Sequence, residues 1–172
     1  MTQQPQEQTP VPVVVHLSGA RRGTTQRLRG DRLRIGTGPE SEIHVAHEPM
    51  VASRHATLVR RGATYELETT SEHPVWVNGQ LSEQRVLVSG DVLEIGRDGP
   101  LLRYRLYPPG SRAYKSPAEA FSDCFECARY SSDSPMGRAA VLLAGTSKEL
   151  VTQTSVLFRT LVVFALIALV LT

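Results

Sequence analysis

Cysteine is nearly absent: the 172 residues hold two, Cys124 and Cys127. Two thiols three residues apart cannot form a disulfide framework, so a reducing compartment is the simpler setting. They also fall short of a structural zinc site, which takes four ligands, usually from two such pairs. The simplest reading is two thiols on a short helix, with no metal and no cofactor. Lysine is almost as scarce, with only Lys115 and Lys148, so arginine carries nearly all of the positive charge. An excess of one sign is missing too: 19 basic residues face 17 acidic ones, for a net charge of +2. In residues 11–108, thirteen arginines face eleven acids spread along the chain. That is a mixed solvated surface and not a nucleic-acid stripe. Residues 1–10 are rich in Gln, Pro and Thr and have no apolar core, which excludes a secretory signal and predicts a disordered lead-in. Catalytic signatures are lacking as well. No glycine-rich phosphate loop, kinase signature or helical metal-ligand pair occurs, and Ser53 near His55 has no acid in a recognisable triad setting. Nothing in these residues points to an enzyme.

Short strands are what the chain does contain. Val11–Leu17 is a β-branched run ending at Ser18-Gly19. Thr24–Arg29 and Arg32–Ile35 flank Gly30-Asp31 and predict a hairpin, with Leu28, Leu33 and Ile35 inward and the arginines outward. Further strands are expected at Ile43–Val45, Ala56–Arg60, Tyr65–Glu68, Val75–Val77, Val86–Val88 and Val92–Ile95. Asn78-Gly79 after Val75-Trp76-Val77 is a strong type I′ hairpin signal, because both residues tolerate positive φ. In Leu101–Tyr107, Leu102, Tyr104 and Leu106 share one face, with Arg103 and Arg105 on the other. Trp76 is as consistent with a core position as with a surface one. Short strands at this spacing predict an all-β sandwich over residues 11–108, ended by Pro108-Pro109-Gly110.

Residues 109–155 read as linker and short helices. Ser116-Pro117-Ala118-Glu119 has the Ser, Pro and acid order of a helix start, and a helix to about Arg129 would bury Ala120, Phe121, Cys124 and Ala128. Ser134-Pro135-Met136 marks a second start. Leu161–Leu171 is eleven apolar residues without a charge, and residues 156–172 predict a transmembrane helix. A full span takes about 20 residues, so the stretch reads as a truncated one. Arg138, Lys148 and Arg159 on its N-terminal flank place the sandwich in the cytoplasm by the positive-inside rule.

The blocks Arg34-Ile-Gly-Thr-Gly-Pro-Glu-Ser-Glu-Ile43, Val51-Ala-Ser-Arg-His-Ala56, Val75-Trp-Val-Asn-Gly79 and Ser89-Gly-Asp-Val-Leu-Glu-Ile-Gly96, in this order, resemble a forkhead-associated (FHA) domain over residues 11–108. The resemblance implies an antiparallel β-sandwich whose loops at one end read phosphothreonine peptides. It maps the ligand loops to Thr37, Ser53, Arg54, Ser71, His73 and Asn78, with His55 as a structural loop brace. The chain departs from the family pattern at these loops. Thr37 stands where the family has its phosphate-binding arginine. Ala52 or Ser53 takes the serine position, depending on whether one residue is deleted. His73-Pro74 replaces an Asn-Gly, and Pro74 offers no backbone donor. A phosphate dianion without a paired cation is costly to desolvate. The expectation is therefore a membrane-anchored protein-interaction module at the cytoplasmic membrane face that recruits a protein partner without the usual phosphothreonine recognition. Homo-oligomerisation through the membrane helix is a further option. Two alternatives stand beside this reading. In one, Arg34 or Arg54 supplies the phosphate charge. In the other, the chain is the regulatory and anchoring part of a longer membrane enzyme.

Overall fold

The computed structural model describes residues 9–45, 49–109 and 117–129. Two units divide the chain, Met1–Ser111 and Arg112–Thr172. The first holds eleven strands in two sheets. One sheet has the order β2 (Thr25–Arg27), β1 (Val11–His16), β11 (Leu101–Tyr107), β10 (Val92–Ile95), β7 (Val75–Val77), β8 (Gln80–Leu81). The other has the order β4 (Ile43–His44), β3 (Arg32–Gly36), β5 (Ala56–Arg61), β6 (Thr64–Glu68), β9 (Gln84–Val86). Alternation explains both inner faces. In the second sheet, Leu33 and Ile35 of β3, Leu58 of β5, and Tyr65 and Leu67 of β6 point inward and are buried. In the first, Val14, Val75, Val77, Leu93, Leu102 and Tyr104 meet them. Fully burying a Leu or Val contributes about 1.5–3 kcal/mol, so this one cluster is the main source of stability. The Tyr104 and Tyr65 hydroxyls keep partners: Tyr104 bonds Thr64 at 2.9 Å and Tyr65 donates to the Gly30 carbonyl at 2.6 Å.

Three expectations need correction. Thr24–Arg29 and Arg32–Ile35 do not form a hairpin, because β2 pairs with β1 through Val13↔Arg27 and Val15↔Thr25 while β3 joins the other sheet. Gly30-Asp31 is a crossover, clasped by the Tyr65 hydroxyl and by the Arg60 amide on the Asp31 carbonyl at 2.8 Å. The sandwich is mixed rather than wholly antiparallel, since β4 runs parallel to β3 through Ile35↔Ile43. Arg103 and Arg105 do lie on the face opposite Leu102 and Tyr104, yet both are buried. Trp76 is half-buried and shares that outer face with Glu94.

The Asn78-Gly79 turn joins β7 to β8 with two residues, in the pairing Val77↔Gln80. Its φ angles of 53° and 77° are those of a type I′ turn.

In the second unit, α1 spans Pro117–Arg129. Ala120, Asp123, Cys124, Cys127 and Ala128 are buried, the i, i+3, i+4, i+7, i+8 stripe of a helix. Phe121 was expected inside but is 54% exposed. It lies about 100° round the axis from Ala120 and stacks on Phe125, with ring centroids 6.4 Å apart. Among the described residues no helix is long and apolar enough to cross a membrane. The expected transmembrane helix over residues 156–172 and the second helix near Met136 lie outside them.

Candidate functional site

The turns after β3, β4 and β6 meet at one end of the sandwich, and His55 ties them together. Its amide donates to Ile35 O at 2.8 Å, anchoring the residue to β3. Its Nδ1 accepts from the Ala52 amide at 3.3 Å, so the proton lies on Nε2, which donates to Pro74 O at 3.1 Å. Thr69 Oγ1 reaches both the His55 carbonyl, at 3.1 Å, and the His73 carbonyl. The residue is 3% exposed. Burial pushes its pKa down, outweighing the Pro74 hydrogen bond that raises it.

The β3–β4 and β4–β5 loops are bonded directly to each other. Thr37 N donates to Ala52 O at 3.1 Å and Gly38 N to Ser53 O at 3.0 Å. Thr37 Oγ1 donates to Val51 O at 3.3 Å and Ser41 Oγ to Ser53 O at 3.0 Å. Gly36 makes this approach possible, since a Cβ there would lie 2.2 Å from Ser53 O. Each of these donors already serves a protein carbonyl.

Arg54 is an exposed basic group at this end. Its side chain is 68% exposed and Nε bonds Glu40 at 3.2 Å. That contact, after a hydrogen bond from Glu40's own backbone, holds the Glu40 carboxyl below its ordinary range. Beside Arg54 lies an open cleft of about 330 Å³, lined by His55, Ala56, Thr57, Glu68, Thr69, Thr70 and His73 as well. The His73 ring lies 5.4 Å from that of His55. Glu68 on the far wall is paired with Arg32 at 3.0 Å and Arg61 at 3.8 Å.

The structure thus brings Thr37, Ser53, Arg54, His55 and His73 to one end, with Ser71 exposed in the β6–β7 turn beside His73. It does not bring Asn78 there. Asn78 follows β7 whereas His73 precedes it, and its amide is engaged by Asp91 at 2.7 Å and the Val92 amide at 2.9 Å. Arg34 is turned to the outer face of its sheet, opposite Thr57. There its guanidinium grips Glu42 at 3.0 and 3.3 Å and draws that carboxyl's pKa down to about 2. Thr69, Thr70 and Thr57 were missed. The polar Thr-Thr-Ser run after β6 was the available signal, because such hydroxyls bond local carbonyls in turns. Among the described residues no group of three or more His, Cys, Asp or Glu could hold a metal ion.

Comparison with known proteins agrees with this fold. The solution structure of the FHA domain of an Arabidopsis thaliana hypothetical protein matches at a TM-score of 0.53 with 15% identity, covering 62% of this chain and 94% of that one. The Slr1951 protein from Synechocystis sp. matches at a TM-score of 0.50 with 23% identity, covering 56% and 96%. The FhaA FHA domain, crystallised in complex with the intracellular domain of Rv3910, matches at 0.47 with 22% identity, covering 55% and 99%. No curated protein matches the chain. The family model of the Yop-YscD cytoplasmic domain matches residues 16–103, just over half of the chain. FHA domains are protein-interaction modules. The chain belongs to this FHA-type family, described as the inner membrane component of T3SS, cytoplasmic domain.

Proposed function

We propose that the chain is a membrane-anchored docking module whose partner site is the loop end around Arg54, Thr69–His73 and the adjoining cleft, and that it takes its protein partner without a phosphate. The observation that carries this is the bonding of the loops. The Thr37 and Gly38 amides and the Thr37 hydroxyl, donors in the loop that the family resemblance assigns to phosphate, already serve Ala52, Ser53 and Val51 carbonyls. Freeing them would give up these bonds, at about 0.5–1.5 kcal/mol each. The domain plan is a lead-in over 1–10, the sandwich over 11–108, a linker with short helices over 109–155, and a membrane helix over 156–172 with the sandwich on the cytoplasmic side. The family description, an inner membrane component with a cytoplasmic domain, supports that placement.

Titration calorimetry against a phosphothreonine peptide library tests the site. No saturable binding is expected, and phosphate-dependent micromolar affinity would overturn the reading. A pull-down with residues 1–110, with and without phosphatase, should return the same partner.

A second reading has its own support in the exposed Arg54 side chain beside an open cleft. In it, Arg54 alone supplies the phosphate charge. Arg54→Ala then abolishes phosphopeptide binding. In the first reading no such binding exists to lose.

A further inference from the structure

Arginines and acids nearly balance over residues 11–108, but they are unevenly placed. Between Arg21 and Arg34 the sequence has six arginines and one acid, Asp31. Folding neutralises two of the six. Arg32 pairs with Glu68 at 3.0 Å and Arg34 with Glu42 at 3.0 Å, both on the β3 sheet. The other four, Arg21, Arg22, Arg27 and Arg29, belong to β2 and its flanking turns, and all are exposed. Among the described residues none of the four has a carboxylate partner; Arg21 bonds only the neutral Gln26, at 3.3 Å.

Their presentation is ordered. The β1–β2 turn is held by Gly23 N on His16 O at 2.7 Å, Arg22 N on Gly19 O at 3.2 Å and Thr24 Oγ1 on Arg21 O at 2.7 Å. Leu28 is buried and its amide bonds Pro12 O at 3.0 Å, so alternation sends Arg27 and Arg29 to the same side, away from the core. β2 is the free edge of its sheet. Charged side chains block an edge against strand addition, yet the opposite edge strand, Gln80–Leu81, carries none. Four guanidiniums exceed that need. Their planar forks match phosphate oxygens in pairs.

We propose that the β2 edge, through Arg21, Arg22, Arg27 and Arg29, docks on anionic lipid headgroups. This rests on the membrane placement given above, with the sandwich on the cytoplasmic side. Each arginine near an anionic bilayer contributes about fivefold in affinity, and the four together several hundredfold.

The test uses the whole chain with an environment-sensitive fluorophore on Thr25→Cys, an exposed β2 position; the native thiols are 5% and 7% exposed. Vesicles of phosphatidylcholine, with and without phosphatidylglycerol, are the probes. The label should respond only to phosphatidylglycerol and fade with salt. Arg27→Gln with Arg29→Gln should weaken that response by about 25-fold without shifting the unfolding midpoint. An equal response on both vesicles, or wild-type affinity in the double variant, overturns the proposal. Tighter binding to a random-sequence DNA duplex than to the charged vesicles also overturns it, by assigning the edge to nucleic acid. The anchor is read separately. A chain without a membrane span fails to float with phosphatidylcholine vesicles after a high-salt wash, whatever the label reports on phosphatidylglycerol.

Discussion

Replacing His55 with Ala should unlock the loop end. The ring is buried and makes two hydrogen bonds, from the Ala52 amide at 3.3 Å and to Pro74 O at 3.1 Å. Their losses are unequal. Pro74 O keeps the Gly96 amide at 3.1 Å, so it stays satisfied. Among the described residues the half-buried Ala52 amide has no other acceptor, and leaving it unpaired costs at most about 1–3 kcal/mol. The imidazole's volume adds a cavity that only partly collapses. The sum is about 3 kcal/mol, a melting shift of roughly 15 °C for a domain of this size. Urea and thermal unfolding of the whole chain, followed by circular dichroism, measure it. A loss below about 0.5 kcal/mol, the level of an indifferent surface change, would refute the bracing role. Protonation gives a second handle. Burial lowers the folded-state pKa of His55, so its contribution is complete above the ordinary histidine value and is lost as pH falls, when Nδ1 ceases to accept.

Three further outcomes are expected. His16 is 2% exposed, and burial, then the Arg21 charge, lower its pKa from 6.5 to about 4; stability should be full above pH 6.5 and fall by about 3 kcal/mol towards pH 4. His16→Gln should flatten much of that slope in urea midpoints taken across this range, and an unchanged slope would refute the assignment. Asn78→Ala should cost about 1–2 kcal/mol through the Asp91 and Val92 bonds, plus strain at its φ of 53°, yet leave partner capture intact; lost capture in a folded variant would return Asn78 to the site. Gly36→Ala, whose methyl would meet backbone at Ser53 O, should destabilise by about 2–3 kcal/mol, measured by the same unfolding curves, and a neutral result would show that the loops part easily.

Local pattern carried the reading wherever structure is set by neighbours in sequence. The inward Leu28, Leu33 and Ile35, the alternation of β11 and the Asn78-Gly79 turn all came from periods and turn chemistry. Pairing did not, because β2 would look the same beside β1 or β3. The choice was made by Val13↔Arg27 and by Tyr65 bonding Gly30 from 35 residues away. Asn78 lies apart from the other loop residues for a similar reason. Residues adjacent in a motif were separated by a three-residue strand, about 10 Å, and so reached opposite ends of β7. The arginine edge was hidden because an even count of charges says nothing of which ones find partners.

The loops that the family resemblance assigns to phosphate separate these two kinds of information. Of the departures that the sequence shows at these loops, one removes a charge: Thr37 stands where the family has its arginine. If that were the whole cause, Thr37→Arg should restore phosphopeptide binding. The structure argues otherwise. An arginine at 37 would return the charge, but the Thr37 and Gly38 amides would remain bonded to Ala52 O and Ser53 O, and Ser41 Oγ would still hold Ser53 O. A phosphate offers several acceptor oxygens, and one exposed guanidinium pairs with two of them. The remaining oxygens would lose water with nothing in return. Thr37→Arg alone is therefore expected to stay below detectable affinity in calorimetry with phosphothreonine peptides. Micromolar binding by that single variant would show that charge, and not the closed loop ladder, is what the site lacks.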